Sequence, residues 1–355
     1  MTRLENLSQK ISAENLDAII ISKPENVHYF SNFRGDSTIL LIGKNFRQLI
    51  TDSRYTEQAA LQTQNFEIVE QNAGLIKKLA EEIKNCGAKI VGFEGRVLTF
   101  DEYTSLSENL SGVDLKSVEV DSLRQIKDAA EISNIRRACE IGDKAFAEVL
   151  NFIKAGVSEI EIAAILENFM RRFGSEKPAF DTIVASGVRG SLPHGIASDK
   201  IIRDGEFVTL DFGAKFNGYC SDMTRTVCVG KASDRQREIY NAVLSAQLHG
   251  LEIIRAGKSG KEIDAEVREN LCRAGLGKYF THALGHSLGL EIHEEPRLSP
   301  LSKCESLAPN MIVTDEPGVY IAGVGGLRIE DTVLVKIDGA ETLTNAPKNL
   351  IELGG

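Results

Sequence analysis

Residues 155–174 read AGVSEIEIAAILENFMRRFG, and residues 256–275 read AGKSGKEIDAEVRENLCRAG. At an offset of 101 the two segments agree at Ala, Gly, Ser, Glu, Ile, Ala, Arg and Gly. Self-similarity at a fixed offset marks two copies of one structural unit. Each copy places Ser three residues before Glu (Ser158 with Glu161, Ser259 with Glu262), so both are expected to open a helix with the same cap. The echo continues downstream with slight drift. VTLDFG at 208–213 resembles VTDEPG at 313–318, and Asp222, shortly before TVCV at 226–229, resembles Glu330, shortly before TVLV at 332–335. Two α/β halves, each bringing two carboxylates on strands, predict one pseudo-symmetric domain with a site between the halves.

Upstream, Asp128 and Glu131 form a D-x-x-E cap, and Ile132, Ile135, Cys139, Phe146 and Val149 recur near helical spacing, so a long helix is expected to open this domain. The boundary is placed near Ser122, giving domains 1–122 and 123–355. Before it, Ala18 to Ser22, Ser37 to Ile42 and Lys89 to Phe93 are short apolar or β-branched runs bounded by turn residues. Arg54 to Gln64 and Leu75 to Asn85 read as helices between them, so the first domain is a smaller α/β unit.

The chain has 355 residues, 41 Lys plus Arg and 51 Asp plus Glu, a formal charge of −10. That balance argues against a nucleic-acid binder, which needs a basic face. No apolar run approaches the ~18 residues of a membrane span. The N-terminal stretch, with Leu4, Leu7 and Ile11 among polar residues, is an amphipathic helix rather than a signal peptide, and a cytoplasmic location is expected. Six cysteines without a C-x-x-C pair read as free thiols.

The chemistry concentrates on carboxylates. Asn217-Gly218 between strand residues is a two-residue hairpin signal, in which Phe216 faces Tyr219 and Gly213 faces Asp222. Asp211 then shares a sheet face with Asp222 as a diagonal neighbour. Two acids on one face of apolar strands repel unless a cation sits between them. Glu316 and Glu330 occupy the matching positions of the second half, Arg328 lies on the face of Glu330, and His286 stands in HALGHSLG at 282–289. Four carboxylates and one imidazole carry too much negative charge for one bare cation and suit two divalent metals, which at ~3.5–4 Å apart polarise a carbonyl and activate water. Oxygen dominance favours manganese, with cobalt, iron(II) and zinc behind it. His194, His282 and His293 gather around the same strands, whereas His28 and His249 have no such context.

Three motifs are decoys. Gly285-His286-Ser287-Leu288-Gly289 matches the G-x-S-x-G elbow of serine hydrolases, but His293, six residues on, is the only later histidine and is too close for that fold. Gly257-Lys258-Ser259 lacks the glycine that a phosphate loop needs at residue 252, and Gly323 to Gly326 precedes no helix signal.

The segments 193–230, HALGHSLGLEIHEEP at 282–296, TDEPGVY at 314–320 and GGLRIEDTVLV at 325–335 resemble the signatures of the pita-bread metallopeptidases, in the branch of Xaa-Pro aminopeptidases and proline dipeptidases. The resemblance covers roughly residues 123–350; residues 1–122 resemble the family's N-terminal domain more loosely, with TDSRYTEQA at 51–59 the best segment. It implies an α/β (α+β) pita-bread catalytic domain with an internal pseudo-two-fold repeat, after a creatinase/prolidase-like N-terminal domain. It further implies that Asp211 binds one metal, that Asp222 and Glu330 bridge two, and that His286 and Glu316 bind the second. Glu316 would also handle the proton of the attacking water. His194 and His293 would stabilise the carbonyl and the tetrahedral intermediate, His282 would contact substrate near proline, and Arg328 would orient the peptide and support Glu330. Ser287 departs from the family, which more often has glycine after the metal histidine. The expected activity is an Xaa-Pro aminopeptidase that removes the residue before proline, with a proline dipeptidase as the alternative and a non-catalytic pita-bread binding module behind both. The expected partner is a proline-containing peptide, with no nucleic acid or membrane, and the resemblance suggests a homodimer.

Overall fold

In the computed structural model, which describes residues 2–354, the apolar run Ala18–Ile21 forms the fully buried strand β1. The chain divides into two units, Met1–Arg124 and Gln125–Gly355. The first holds helices α1 (Arg3–Ala13), α2 (Pro24–Ser31), α3 (Thr56–Gln62), α4 (Leu75–Asn85) and α5 (Phe100–Asn109). Its strands β2 (Ile39–Gly43), β3 (Arg47–Thr51), β4 (Glu67–Glu70), β5 (Ile90–Phe93) and β6 (Asp114–Ser117) join β1 in one sheet of order β4-β3-β2-β1-β5-β6. The outermost strands read EIVE and DLKS. Each gains its ladder from an inner neighbour rather than from apolar content, so the sequence shows no strand signal there.

The second unit is built from the repeat. The first half comprises α6 (Ala129–Val149), α7 (Glu159–Arg172), β7 (Ile183–Ser186), β8 (Phe207–Phe212), β9 (Lys215–Phe216), β10 (Tyr219–Cys220) and β11 (Met223–Val229). The second half comprises α8 (Asp234–Ile253), α9 (Gly260–Arg273), β12 (Gly285–Ser287), β13 (Glu294–Leu298), β14 (Ile312–Asp315), β15 (Gly318–Ile321), β16 (Gly325–Arg328), β17 (Asp331–Val335) and β18 (Ala340–Thr342); β19 (Glu352–Leu353) returns to the first half's sheet. The sheets run β19-β11-β8-β7 and β13-β12-β14-β17-β18. In each half an antiparallel pair (β8 with β11, β14 with β17) is interrupted by an inserted hairpin (β9–β10, β15–β16). Each half buries its own apolar cluster, one around α6, α7, β8 and β11, the other around α8, α9, β14 and β17. The unit is the pita-bread domain.

The caps differ between copies. Ser259 forms the reciprocal box with Glu262. Ser158 accepts from the Glu161 N–H, but no return bond from Glu161 forms. There the backbone is engaged elsewhere, through a bridge from Ser158 to Ile201. Asp128 and Glu131 cap α6 reciprocally.

The hairpin at Asn217-Gly218 turns through positive φ at both residues (48° and 82°), and Phe216 faces Tyr219. Asp211 sits inside β8 opposite Thr224. The other three acids stand just off strand ends, which corrects the expectation of acids within strands: Asp222 precedes β11, Glu316 follows β14, and Glu330 separates β16 from β17. Pro317 has no N–H to continue a ladder, so the chain leaves β14 at Glu316.

Gly213, where β8 bends toward the hairpin, lies so close to the returning backbone that a Cβ would fall 1.9 Å from the Ser221 carbonyl oxygen. Gly213→Ala is therefore expected to cost about 1–3 kcal/mol, the usual range for overpacking. A denaturation midpoint equal to that of the wild type would contradict this close approach.

Candidate metal centre

The bends that eject Asp222, Glu316 and Glu330 from their ladders aim all three at the end of β8. Asp211 accepts a hydrogen bond from Arg328 Nη2 through Oδ2, while its Oδ1 is buried without a partner among the described residues. Asp222 is pinned through its backbone, its carbonyl accepting from Thr332 Oγ1 at 2.7 Å, and its Oδ1 is likewise buried and unpartnered. Glu330 Oε2 accepts from Thr224 Oγ1 at 2.5 Å. His286 Nε2 lies 3.5 Å from both Asp222 Oδ2 and Glu316 Oε1. Its Nδ1 is 3.1 Å from the Ser287 carbonyl, which places the ring proton there and leaves the Nε2 lone pair toward the acids. Asp222, His286 and Glu330 offer ligand atoms within 4.8 Å of one another.

Electrostatics follows from this crowding. Burial, then the charges of Glu330, Asp211 and Glu316, push Asp222 well above the usual carboxylate range. Burial, then Glu316 and Asp211, do the same to Glu330. Glu316 is pushed up to about 8, chiefly by burial. Burial, with His293 beside it, lowers His286 to about 3, so its imidazole is neutral at any working pH. Orphaned buried oxygens, an all-acceptor donor set and a neutral imidazole fit a divalent cation, and the chemistry of the set suits it.

The site's surroundings are equally specific. Arg328 is spent on structure: besides Asp211 it donates to Tyr320 Oη (2.6 Å), Thr224 Oγ1 (3.0 Å) and the Pro193 carbonyl (3.3 Å). His282 Nε2 lies 2.9 Å from Tyr320 Oη, and burial, then Arg328, lowers its pKa to about 4. The rings of His293 and His286 are 4.4 Å apart. His194 lies in an exposed loop, close enough to bear electrostatically on His282 and His293. The structure thus brings together Asp211, Asp222, His286, Glu316 and Glu330, and arranges His194, His282, His293 and Arg328 around them. Ser287 is fully buried, accepting from Lys127 Nζ at 3.3 Å and donating to the Ile312 carbonyl at 2.7 Å, so no substrate reaches it.

Two residues escaped the sequence reading. Tyr320 fits because Gly318, on the same side of β15, leaves room: a Cβ there would fall 2.4 Å from the phenol oxygen. Arg297 pairs with His286 across the β12–β13 ladder and is exposed. The signal was the alternation along 293–298, where His293, Glu295 and Arg297 are exposed and Glu294, Pro296 and Leu298 buried.

Comparison with known proteins gives the family. Residues 133–336 match metallopeptidase family M24, and residues 3–126 match the creatinase/prolidase N-terminal domain. The chain is 40% identical to an Xaa-Pro dipeptidase of Pyrococcus furiosus, over 98% of this chain and 99% of that one. Among solved structures it resembles an Xaa-Pro dipeptidase from Bacillus anthracis, with TM-score 0.96 and 45% identity over 99% of both chains. It also resembles an X-Pro aminopeptidase from Thermotoga maritima MSB8, with TM-score 0.91 and 41% identity over 96% of this chain and 98% of that one.

Asp222, Glu316 and Glu330 hold protons more tightly in the fold than in the unfolded chain. The stability these protons confer is present below the ordinary values near 4 and is lost as pH rises through the raised ones, about 8 for Glu316. A cation that displaces them restores it, whereas His286 is already neutral and releases none. Manganese added to chelator-stripped protein should therefore raise Tm more at pH 8 than at pH 5.5. An equal or larger rise at pH 5.5 would remove this coupling.

Proposed function

The chain belongs to metallopeptidase family M24, and we propose that it is a prolidase-type hydrolase acting on Xaa-Pro dipeptides. This reverses the order of the sequence-based expectation, which put the aminopeptidase first. The observation that carries the reversal is Arg297. A dipeptidase must hold a free carboxylate directly after proline, a task suited to the arginine fork. Arg328, the cation first placed beside the site, is committed to Asp211, Tyr320, Thr224 and Pro193. Arg297 is exposed on the His293 side of β13, opposite His286, and among the described residues its guanidinium pairs only with Glu295, at 3.6 Å. The dipeptidase names of the Pyrococcus furiosus and Bacillus anthracis relatives support the same order.

In this reading Asp211, Asp222, His286, Glu316 and Glu330 would hold two divalent cations, with manganese proposed ahead of cobalt, iron(II) and zinc. Such a pair, when bound, supplies Lewis acidity at the scissile carbonyl and lowers the pKa of water. Glu316 takes the proton of the attacking water and passes it to the leaving proline nitrogen. His194 and His293 face the carbonyl oxygen as it gains charge, where preorganised donors matter most. His282, neutral and fixed by Tyr320, lies against the proline side of the substrate. Arg328 keeps Asp211 in place and supports the Glu330 side through Thr224. The proposed setting is a cytoplasmic homodimer whose partner is the peptide alone.

Dipeptides Xaa-Pro should be cleaved with at least about tenfold higher kcat/KM than matched Xaa-Pro-Yaa tripeptides, roughly 1.4 kcal/mol. Arg297→Gln should raise KM for dipeptides about 10- to 100-fold, the weight of a charge-assisted hydrogen bond, and leave tripeptides nearly unchanged. A tripeptide preference in the wild type would return the assignment to aminopeptidase. Glu316→Gln should lower kcat roughly 100-fold or more with little change in KM, since proton transfer acts in the transition state; near-normal turnover at full metal content would remove Glu316 from that role.

A further inference from the structure

Glu159, in the first turn of α7, is fully buried, yet it is no part of the metal centre. Its carboxylate accepts five hydrogen bonds. They come from the Ser186 N–H (2.7 Å) and Oγ (2.8 Å), from Arg189 Nη1, and from the Ser198 N–H (3.3 Å) and Oγ (2.7 Å). Ser186 ends β7, and Ser198 lies where the chain returns to α7, with the Ile160 N–H donating to the Ser198 carbonyl at 2.9 Å. Between these two feet runs the loop that carries His194. Arg189, held by Glu159, also donates to the Ile196 carbonyl at 2.8 Å, which braces the loop from inside. Farther out, Arg328 donates to the Pro193 carbonyl at 3.3 Å.

The repeat explains why only one half needs this device. His194 follows β7, and His293 follows β12, its counterpart beside the acid-bearing strand. In the second half the segment carrying His293 leads into β13, which pairs directly with β12. In the first half the segment after β7 returns to that strand through a single isolated bridge, Ile183 with Ile196, and forms no ladder. At the repeat offset of 101, Glu159 corresponds to Gly260, which has no side chain. A buried carboxylate is a poor source of net stability, because its desolvation offsets most of what its partners return. What it supplies here is a fixed loop geometry.

We infer that Glu159 is a positioning residue that holds His194 over the metal centre, standing in for the strand pairing that holds His293. The inference rests on the role given to His194 above. Two measurements on metal-loaded, full-length Glu159→Gln separate the two. Amide exchange in residues 186–200 should rise at least about tenfold with the rest of the chain unchanged, as expected for a local opening. In a double-mutant cycle, Glu159→Gln should lower kcat/KM about tenfold beside His194 but less than about twofold beside His194→Ala, because it acts through that side chain. Metal content should not change. If Glu159→Gln fails to fold, Ser198→Ala, which removes one donor, should show the same pattern at about threefold. Unchanged exchange overturns the clamp, and equal losses in both backgrounds overturn the path through His194. A fully active His194→Ala overturns the role of His194, and the positioning inference with it, while the exchange result still reports on the clamp.

Discussion

Four carboxylates buried within reach of one another cannot all be ionised in a medium of low dielectric unless cations share the space. Asp211, Asp222 and Glu330, all buried, and the half-buried Glu316 are in that position, and Arg328, hydrogen-bonded to Asp211, is a fixed cation beside them. Holding them together works against the fold. The work is done by the two apolar clusters, one per half, which pack the helices onto the sheets away from the acids. The strand breaks at Asp222, Glu316 and Glu330 then turn the acids inward without opening either core.

The pseudo-symmetry is functional and imperfect. The offset grows from 101 between the helix caps to 105 between Asp211 and Glu316 and 108 between Asp222 and Glu330. The last three of these residues lengthen the second hairpin, and that hairpin carries Tyr320 and Arg328. The equivalent first hairpin is a tight two-residue turn with no such pair. The symmetric part thus supplies the acids. The asymmetric parts supply what differs from side to side: His286 on β12, the relay from Asp211 through Arg328 and Tyr320 to His282, and the clamp at Glu159.

The repeat, the caps and the acid order were legible because each is local. Ser259 with Glu262, the turn at Asn217-Gly218 and the pairing of Phe216 with Tyr219 follow from a few neighbouring residues. β4 and β6 were not, since edge strands acquire their character from the sheet they join. Arg297 lay in plain view in HEEPR, but its meaning depends on the ladder that sets it opposite His286. Glu159 stands beside a cap and has no role in the sequence reading. Nothing in EIEIAA reveals that Ser186 and Ser198, 27 and 39 residues on, close over it.

The balance of charge also bears on how many cations the site takes. Four carboxylates and one guanidinium leave a net of three negative charges in a buried volume. One divalent cation would reduce this to one negative charge, which repels the electrons that move onto the carbonyl oxygen during hydrolysis. Two would leave one positive charge, the sign that attracts the electrons moving onto that oxygen. His282, His286 and His293 are all depressed by burial and add no charge of their own. Burial of neutral imidazoles therefore leaves the sign of the site to the carboxylates and the cations. Arg297, exposed and paired with Glu295, lies outside that balance, in keeping with the proposed role of meeting a charge that belongs to the substrate.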